Sequence, residues 1–173
     1  KMAEVGILKE EDKVELLNGE IIKMSPIGSL HAGYLYIIDE LLGDALGKKV
    51  HINNQSAIRL GPFSEPEPDV TVLKRRRDYY LTRLPRPQDA YLIVEVADSS
   101  LEKDRTYKAP LYAKAEIPEY WILNIAHKQI EVFRQPKNGV YQEQIVKKIN
   151  EEVTFLAFDV TIKLSDVFIM GDL

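Results

Sequence analysis

The stretch from Tyr91 to Ala97 constrains this chain most, because it predicts a buried strand that carries one carboxylate, Glu95. A second β-branched run begins at Val70, directly after Pro68 and Asp69. If the two runs pair as neighbouring strands, Asp69 and Glu95 reach the same end of one sheet. Two carboxylates on rigid backbone suit Mg²⁺, which takes one or two protein carboxylates and completes its shell with water and phosphate oxygens.

Composition narrows the class of protein. At 173 residues, the chain predicts a single domain over positions 1–173. Cysteine is absent, which excludes disulfides and thiolate metal sites. The net charge of −4 does not favour nucleic-acid binding by bulk charge, so any such binding needs a local basic patch. No apolar run is long enough to span a bilayer and no signal peptide opens the chain, so we expect a cytoplasmic protein with no membrane partner.

Periodicity and turn residues predict the order of the elements. Asn18-Gly19 favours a type I′ hairpin between short strands, and residues 4–13 before it have the character of a helix end. A helix is predicted from a Ser29 cap to Gly47. Its apolar face would hold Leu30, Tyr34, Ile37, Ile38, Leu41, Leu42 and Ala45.

Further elements follow along the chain. The predicted strands cover residues 50–60, 70–73, 90–97, 119–125, 129–135, 140–149 and 160–164. A second helix is predicted over residues 101–115, with a kink or restart at Pro110. The fold class is therefore α/β (α+β), with a mixed central β-sheet flanked by helices and additional β-hairpins.

The second helix offers a lysine to the two carboxylates. Asp104, Lys108 and Tyr112 are spaced by four, so they share one helical face. A helix that begins just after the Glu95 strand can point Lys108 at the sheet end. A metal there would polarise a phosphoryl oxygen and lower the pKa of a bound water. The lysine would orient or deprotonate the attacking water, or stabilise charge on phosphorus.

Several of these residues form a pattern that resembles a known family, the Uma-type "putative restriction endonucleases" of the PD-(D/E)XK nuclease superfamily. The resemblance covers about residues 14–134. The motifs that carry it are Pro68-Asp69, Glu95 in Glu-Val-Ala-Asp-Ser-Ser, Lys108-(x)₃-Tyr112-Ala, Ile117-Pro-Glu-Tyr-Trp121, the early Glu15-Leu-Leu-Asn-Gly-Glu20 with Met24-Ser-Pro, and His31.

The resemblance implies a restriction-endonuclease-like sheet and Mg²⁺- or Mn²⁺-dependent hydrolysis of DNA phosphodiester bonds. It also suggests a homodimer. By the family pattern Asp69 and Glu95 are the metal ligands and Lys108 completes the catalytic set. The superfamily places its lysine two residues after the acid, where this chain has Ala97. In the family the lysine comes from the following helix instead.

Each residue also has a purely structural interpretation. Asp69 can cap a turn after proline, and Glu95 can simply pair with Lys108, because a lone buried carboxylate is costly. His31 is favoured as a helix-start histidine and Glu20 as an exposed strand residue, although both, with Asp104 and Tyr112, are candidates for positions beside the site. Lys74, Arg75, Arg76 and Arg77 form either a solvated charged run or a set of phosphate contacts.

Three functions stay open from the sequence. The favoured one is a divalent-metal-dependent endonuclease acting on DNA. The second is a nuclease-fold module without catalytic activity that binds nucleic acid or protein, an interpretation favoured by Ala97 and the acidic net charge. The third is a hydrolase of small phosphoesters that uses the same sheet end.

Overall fold

A six-stranded mixed sheet forms the centre of the fold in the computed structural model, which describes residues 12–24 and 26–169. The strand order is β3-β4-β5-β6-β7-β8, and only β5 and β6 run parallel. The strands are β3 (Val50–Asn54), β4 (Val70–Lys74), β5 (Ala90–Ala97), β6 (Glu119–Asn124), β7 (Gln129–Lys137) and β8 (Val140–Lys148). The predicted fold class, a mixed sheet flanked by helices, is confirmed.

Two hairpins lie outside this sheet. The first joins β1 (Val14–Leu17) to β2 (Glu20–Lys23), and its turn residues Asn18 and Gly19 have φ of 50° and 86°, as the predicted type I′ turn requires. The second joins β9 (Glu152–Phe155) to β10 (Val160–Lys163), and the sequence analysis missed β9. Most of the helix end predicted for residues 4–13 lies outside the described residues.

The long helix α1 (Ser29–Leu46) has the predicted extent, and its predicted apolar face is confirmed in part. Gly28, not Ser29, occupies the N-cap position, and Gly47 ends the helix with φ of 52°. The buried residues are Leu35, Ile38, Leu42 and Leu46, whereas the predicted Leu30 and Ala45 are exposed. Gly28 and His31 line a pocket, so the first turn lies at a pocket rim rather than over the core.

The two faces of the central sheet bury separate apolar clusters. One cluster contains residues of α1, the β9–β10 hairpin and the short helix α4 (Leu164–Val167), with Trp121 and Phe155 among its largest side chains. The other contains Ile93, Ala97 and Tyr112. Side chains alternate along β5, so Glu95 points to the same face as Ile93 and Ala97.

The helix after β5 is broken into three parts. The first is α2 (Leu101–Lys103), which is followed by a π-helical turn at Asp104–Lys108 and then by α3 (Ala109–Lys114). Pro110 lies in the first turn of α3, where its missing N–H needs no partner. The predicted interruption therefore takes the form of a π-helical turn before the proline, a feature that is frequent at functional sites.

One predicted strand is shorter than expected. The strand predicted over residues 50–60 ends at Asn54, because Gln55 has φ of 47° and leaves the sheet. No helix among the described residues is long and apolar enough to cross a membrane.

Candidate active site

Asp69 and Glu95 meet at one end of the sheet because β4 and β5 are antiparallel neighbours. Val70 pairs with Val94, so the residue before Val70 lies opposite the residue after Val94. The Asp69 side chain reaches across to β5, where the Val96 backbone N–H donates to its Oδ2 at 2.8 Å. The sequence predicted a common sheet end for the two acids if the two strands pair, and the two strands do pair.

Glu95 is held by two side chains from the interrupted helix. Lys108 Nζ donates to Glu95 Oε1 at 2.9 Å, and the Tyr112 hydroxyl donates to the same oxygen at 2.7 Å. Glu95 is 3% exposed and Lys108 is 5% exposed, so the ion pair lies away from solvent. The i,i+4 spacing of Lys108 and Tyr112 places both on the face that contacts the sheet.

Burial and the surrounding charges shift the pKa values of this pair. Burial raises the pKa of the Glu95 carboxyl, and the ammonium of Lys108 acts against this rise. Burial also lowers the pKa of Lys108, but the carboxylates of Glu95, Glu15 and Asp104 outweigh it and raise that pKa above its usual value. Lys108 is therefore an ammonium in this arrangement, suited to stabilising negative charge rather than to removing a proton.

His31 comes from the first turn of α1 and contacts Asp69. Its Nε2 lies 3.0 Å from Asp69 Oδ2, and this hydrogen bond raises the pKa of the imidazole although burial acts against it. His31 Nδ1 is buried and has no hydrogen-bond partner among the described residues. His31 and the Val96 N–H thus contact the same carboxylate oxygen, Asp69 Oδ2, and together they orient this side chain.

Asp104 and Glu20 differ in their relation to this group. Asp104 is buried beside Lys108 and lines the same pocket, where it accepts a hydrogen bond from Ser100 Oγ at 2.6 Å. Burial raises the pKa of its carboxyl. Glu20 is exposed at the start of β2 and is not among the residues that line the pocket.

Glu15 lines the same pocket but was not predicted from the sequence as a candidate site residue. It is buried on β1, forms a short ion pair with Lys103, and its Oε2 lies 3.7 Å from Lys108 Nζ. That oxygen is buried without a hydrogen-bond partner among the described residues. The alternation of β1, which places Glu15 on the same inward face as Leu17, was the available signal.

The pocket that these residues line has a cavity volume of about 280 Å³ and is strongly acidic. Six carboxylates face it against three lysines, a formal balance of −3 when His31 is neutral. The acids are Glu15, Glu67, Asp69, Glu95, Asp98 and Asp104, and the lysines are Lys23, Lys103 and Lys108. Burial raises the pKa of Glu67, and repulsion from Glu15 adds to the effect. A phosphate would be repelled here unless a cation accompanied it.

The donor set fits a hard divalent cation held by two carboxylates. The Asp69 carboxylate accepts its described hydrogen bonds through Oδ2, and the Glu95 carboxylate accepts its own through Oε1. These bonds leave Oδ1 of Asp69 and Oε2 of Glu95 for a metal ion. Within residues 12–24 and 26–169, no three His, Asp or Glu side chains are placed so that they could bind one metal ion. Such an ion would depend on water or phosphate for its remaining positions, which is the usual coordination of Mg²⁺.

The basic run lies away from this group. Lys74 ends β4, whereas Asp69 precedes its first residue, so Lys74 to Arg77 lie beyond the opposite end of the strand. Five residues along a strand span roughly 17 Å. The structure thus brings together Asp69, Glu95, Lys108, Tyr112 and His31, and leaves the arginines at a distance.

The fold is restriction-endonuclease-like, with a mixed central sheet flanked by helices, and Asp69 and Glu95 lie at one end of that sheet. The Uma2 family, described as "Putative restriction endonuclease", matches residues 2–165. The chain therefore belongs to the Uma2 family.

A solved structure supports the same fold. The chain is similar to a crystal structure at 1.96 Å of a "putative nuclease belonging to DUF820" from Anabaena variabilis ATCC 29413. The two share 14% sequence identity over 96% of each chain, with a TM-score of 0.77. At that identity the likeness establishes the fold. No curated protein matches the chain.

Proposed function

We propose that this protein is a divalent-metal-dependent endonuclease that hydrolyses DNA phosphodiester bonds. The observation that carries the proposal is the acidic pocket in which Asp69 and Glu95 lie opposite each other on adjacent strands, with Lys108 bound to Glu95. The excess of carboxylates makes a cation necessary for a phosphate to enter. Membership of a family described as restriction endonucleases supports a nucleic-acid substrate.

Each residue has a distinct part in the proposed reaction. Asp69 and Glu95 would hold Mg²⁺ or Mn²⁺, which when bound lowers the pKa of a water and offsets charge on the phosphodiester. Lys108 stays protonated and stabilises the negative charge that develops on phosphorus. His31 and the Val96 N–H keep the Asp69 carboxylate oriented, and Tyr112 does the same for Glu95.

The superfamily pattern has a lysine at the position of Ala97, but this chain still supplies a lysine ammonium next to Glu95. Ala97 packs in the apolar cluster beside α3 and is almost fully buried. Lys108 reaches Glu95 from the π-helical turn instead. This contact places a lysine cation beside Glu95, which the proposed nuclease requires.

Cleavage of supercoiled DNA with Mg²⁺, Mn²⁺ or EDTA tests the proposal. We expect metal-dependent nicking by the wild type, and a loss of about 100-fold or more in Glu95→Gln and Asp69→Asn, since the metal contributes several kcal/mol. Glu20→Gln is the matched control, because Glu20 is an exposed acid that does not line the pocket.

The other outcomes separate the alternatives. Nicking that persists in Glu95→Gln contradicts the assigned site. Metal-independent DNA binding without turnover supports the binding module. Hydrolysis of a soluble bis-aryl phosphodiester without any action on DNA supports the small-molecule hydrolase.

A further inference from the structure

The loop after β4 carries basic and aromatic side chains that the proposed active site does not use. We call residues 75–80 the arginine–tyrosine loop. Arg76 is committed to Asp78 through two hydrogen bonds of 2.8 and 2.7 Å. Arg75 and Arg77 are exposed and form no ion pair with any described residue. Two guanidinium groups are therefore available in a chain whose overall charge is negative.

Tyr79 lines a surface depression together with these two arginines. It is 62% exposed, and the Arg75 guanidinium lies 5.9 Å from the ring centroid. The His51 ring supports it at 4.8 Å. Both Tyr79 and Tyr80 have positive φ, 50° and 61°, a conformation that is costly for bulky residues and is found preferentially at functional sites.

Tyr80 stabilises the backbone of the arginine–tyrosine loop. Its hydroxyl donates to the Lys74 carbonyl at 2.7 Å, and the guanidinium groups of Arg76 and Arg83 lie 5.2 and 5.7 Å from its ring. Tyr80 thus anchors the loop, while Tyr79 is turned out beside it. An exposed aromatic ring flanked by unpaired arginines is the combination that binds unpaired bases by stacking and their phosphates by charge.

The outer edge of β3 connects this loop to the acidic pocket. β3 is the terminal strand of the sheet, and no other described strand pairs with its outer edge. His51 near its start contacts Tyr79, and Gln55 just after its end lines the pocket with Asp69. Asn53 and Asn54 lie between them. A polar strand edge therefore runs from the loop to the site.

We propose that the arginine–tyrosine loop binds a single-stranded segment of the nucleic-acid substrate, which continues along the β3 edge into the pocket. This inference rests on the proposed nuclease function. A base stacks on Tyr79, and Arg75 and Arg77 bind the flanking phosphates. Because β4 separates loop and pocket by roughly 17 Å, a strand stacked at about 3.4 Å per nucleotide needs about five nucleotides to reach both.

Fluorescence anisotropy in EDTA tests the arginine–tyrosine loop by itself, without cleavage and without the cation that phosphate needs to enter the pocket. The probes are labelled oligo-dT of about 4 and about 12 nucleotides, a blunt duplex, and inorganic polyphosphate as competitor. We expect Tyr79→Ala to weaken binding of the longer oligonucleotide roughly 5- to 100-fold. Arg75→Ala and Arg77→Ala should each reduce the salt slope by about 0.7.

Two control variants match these changes elsewhere on the surface. Tyr36→Ala removes an exposed tyrosine on α1, and Lys148→Ala removes an exposed cation on β8, the opposite edge strand. Both should leave binding unchanged. Unaltered circular dichroism of the loop variants excludes misfolding.

Several results would overturn the inference. One is binding that is equal in Tyr79→Ala and the wild type, and another is equal affinity for blunt duplex and oligo-dT. Complete displacement by polyphosphate with no effect of Tyr79→Ala would show only a charged patch.

If the wild type nicks DNA while Tyr79→Ala binds normally, the inference fails and the nuclease stands. If Tyr79→Ala loses binding but the wild type never cleaves, the nuclease fails alone.

Discussion

The buried pair of Lys108 and Glu95 is the residue-scale feature that links stability to the proposed chemistry. Two carboxylate oxygens lie near the Lys108 ammonium: Glu95 Oε1 is 2.9 Å and Glu15 Oε2 is 3.7 Å from Lys108 Nζ. A lysine held between two carboxylates can stay in the site while one of them engages a cation. Glu15 thus provides Lys108 with a second counter-ion.

Removing this lysine leaves two buried carboxylates without their shared cation. We predict that Lys108→Met lowers the free energy of unfolding by about 3–5 kcal/mol, the usual cost of breaking a buried ion pair from one side. Lys114→Met, at the exposed end of the same helix, should change it by less than about 0.5 kcal/mol. Urea unfolding at neutral pH measures both, and equal stability of the two variants would contradict the buried pair.

Single residues were partly predictable from the sequence. Asp69, Glu95 and Lys108 could be selected because a polar residue in an apolar strand and an i,i+4 helical spacing are visible in the chain. Glu15 could not be ranked in that way. Its importance depends on Lys103 and Lys108, which are distant in sequence and meet it only after the hairpin packs on the interrupted helix.

At the scale of elements, the π-helical turn at Asp104–Lys108 positions the lysine and is itself fixed to the sheet. Arg105 in this turn makes two hydrogen bonds to Glu131 on β7, and Asn124 on β6 donates to the same carboxylate. The turn is therefore held on both sides, through Lys108 to β5 and through Arg105 to β7.

The Arg105–Glu131 link predicts a pH-dependent stability. Burial acts to raise the pKa of Glu131, but the hydrogen bonds from Arg105 and Asn124 outweigh it and lower that pKa below 4.5. A carboxyl whose pKa is lower in the folded state stabilises the fold above its unfolded pKa and loses this effect as the pH falls through the folded value.

We therefore predict that Glu131→Gln costs about 1–3 kcal/mol near neutral pH, a value reduced because Arg105 is partly exposed. The difference from the wild type should shrink as the pH falls below about 4.5. Unfolding curves from pH 7 to about pH 3 measure it. A difference that is constant over this range would contradict the ion-pair account.

Elements with strong local signals were predicted well, and the others failed for identifiable reasons. The turn residues Asn18-Gly19 and the apolar run of β5, which only Glu95 interrupts, predicted the positions of these elements. The predicted apolar face of α1 was correct for Ile38 and Leu42 but wrong for Leu30, because the first turn lies at the pocket rim, which periodicity does not reveal. β9 has only four residues, and the π-helical turn has no sequence signature of its own.

At the scale of the whole molecule, one apolar core on each face of the sheet supports the expectation of a single domain over 1–173. The single tryptophan, Trp121, is fully buried on the central strand β6. Its fluorescence should therefore follow the loss of the core, whereas far-ultraviolet circular dichroism follows the backbone. We predict coincident urea transitions by the two probes. Separate midpoints would contradict a single cooperative unit.

The pocket and the arginine–tyrosine loop lie at opposite ends of β4, so charge is segregated across the molecule. The acidic end needs a cation before phosphate enters, while the basic end attracts phosphate directly. This separation would allow a chain with a net charge of −4 to bind the nucleic-acid substrate that we propose. The homodimer that the family resemblance suggests remains a prediction for sedimentation velocity.

We propose that Asp69 and Glu95 together hold a divalent cation, and calorimetric titration with Mn²⁺ measures this binding. We predict binding by the wild type and by Glu20→Gln, and affinity lower by about tenfold or more in Asp69→Asn and Glu95→Gln. Circular dichroism confirms that each variant is folded. Equal Mn²⁺ affinity in all four proteins, or no binding by the wild type, would contradict the account.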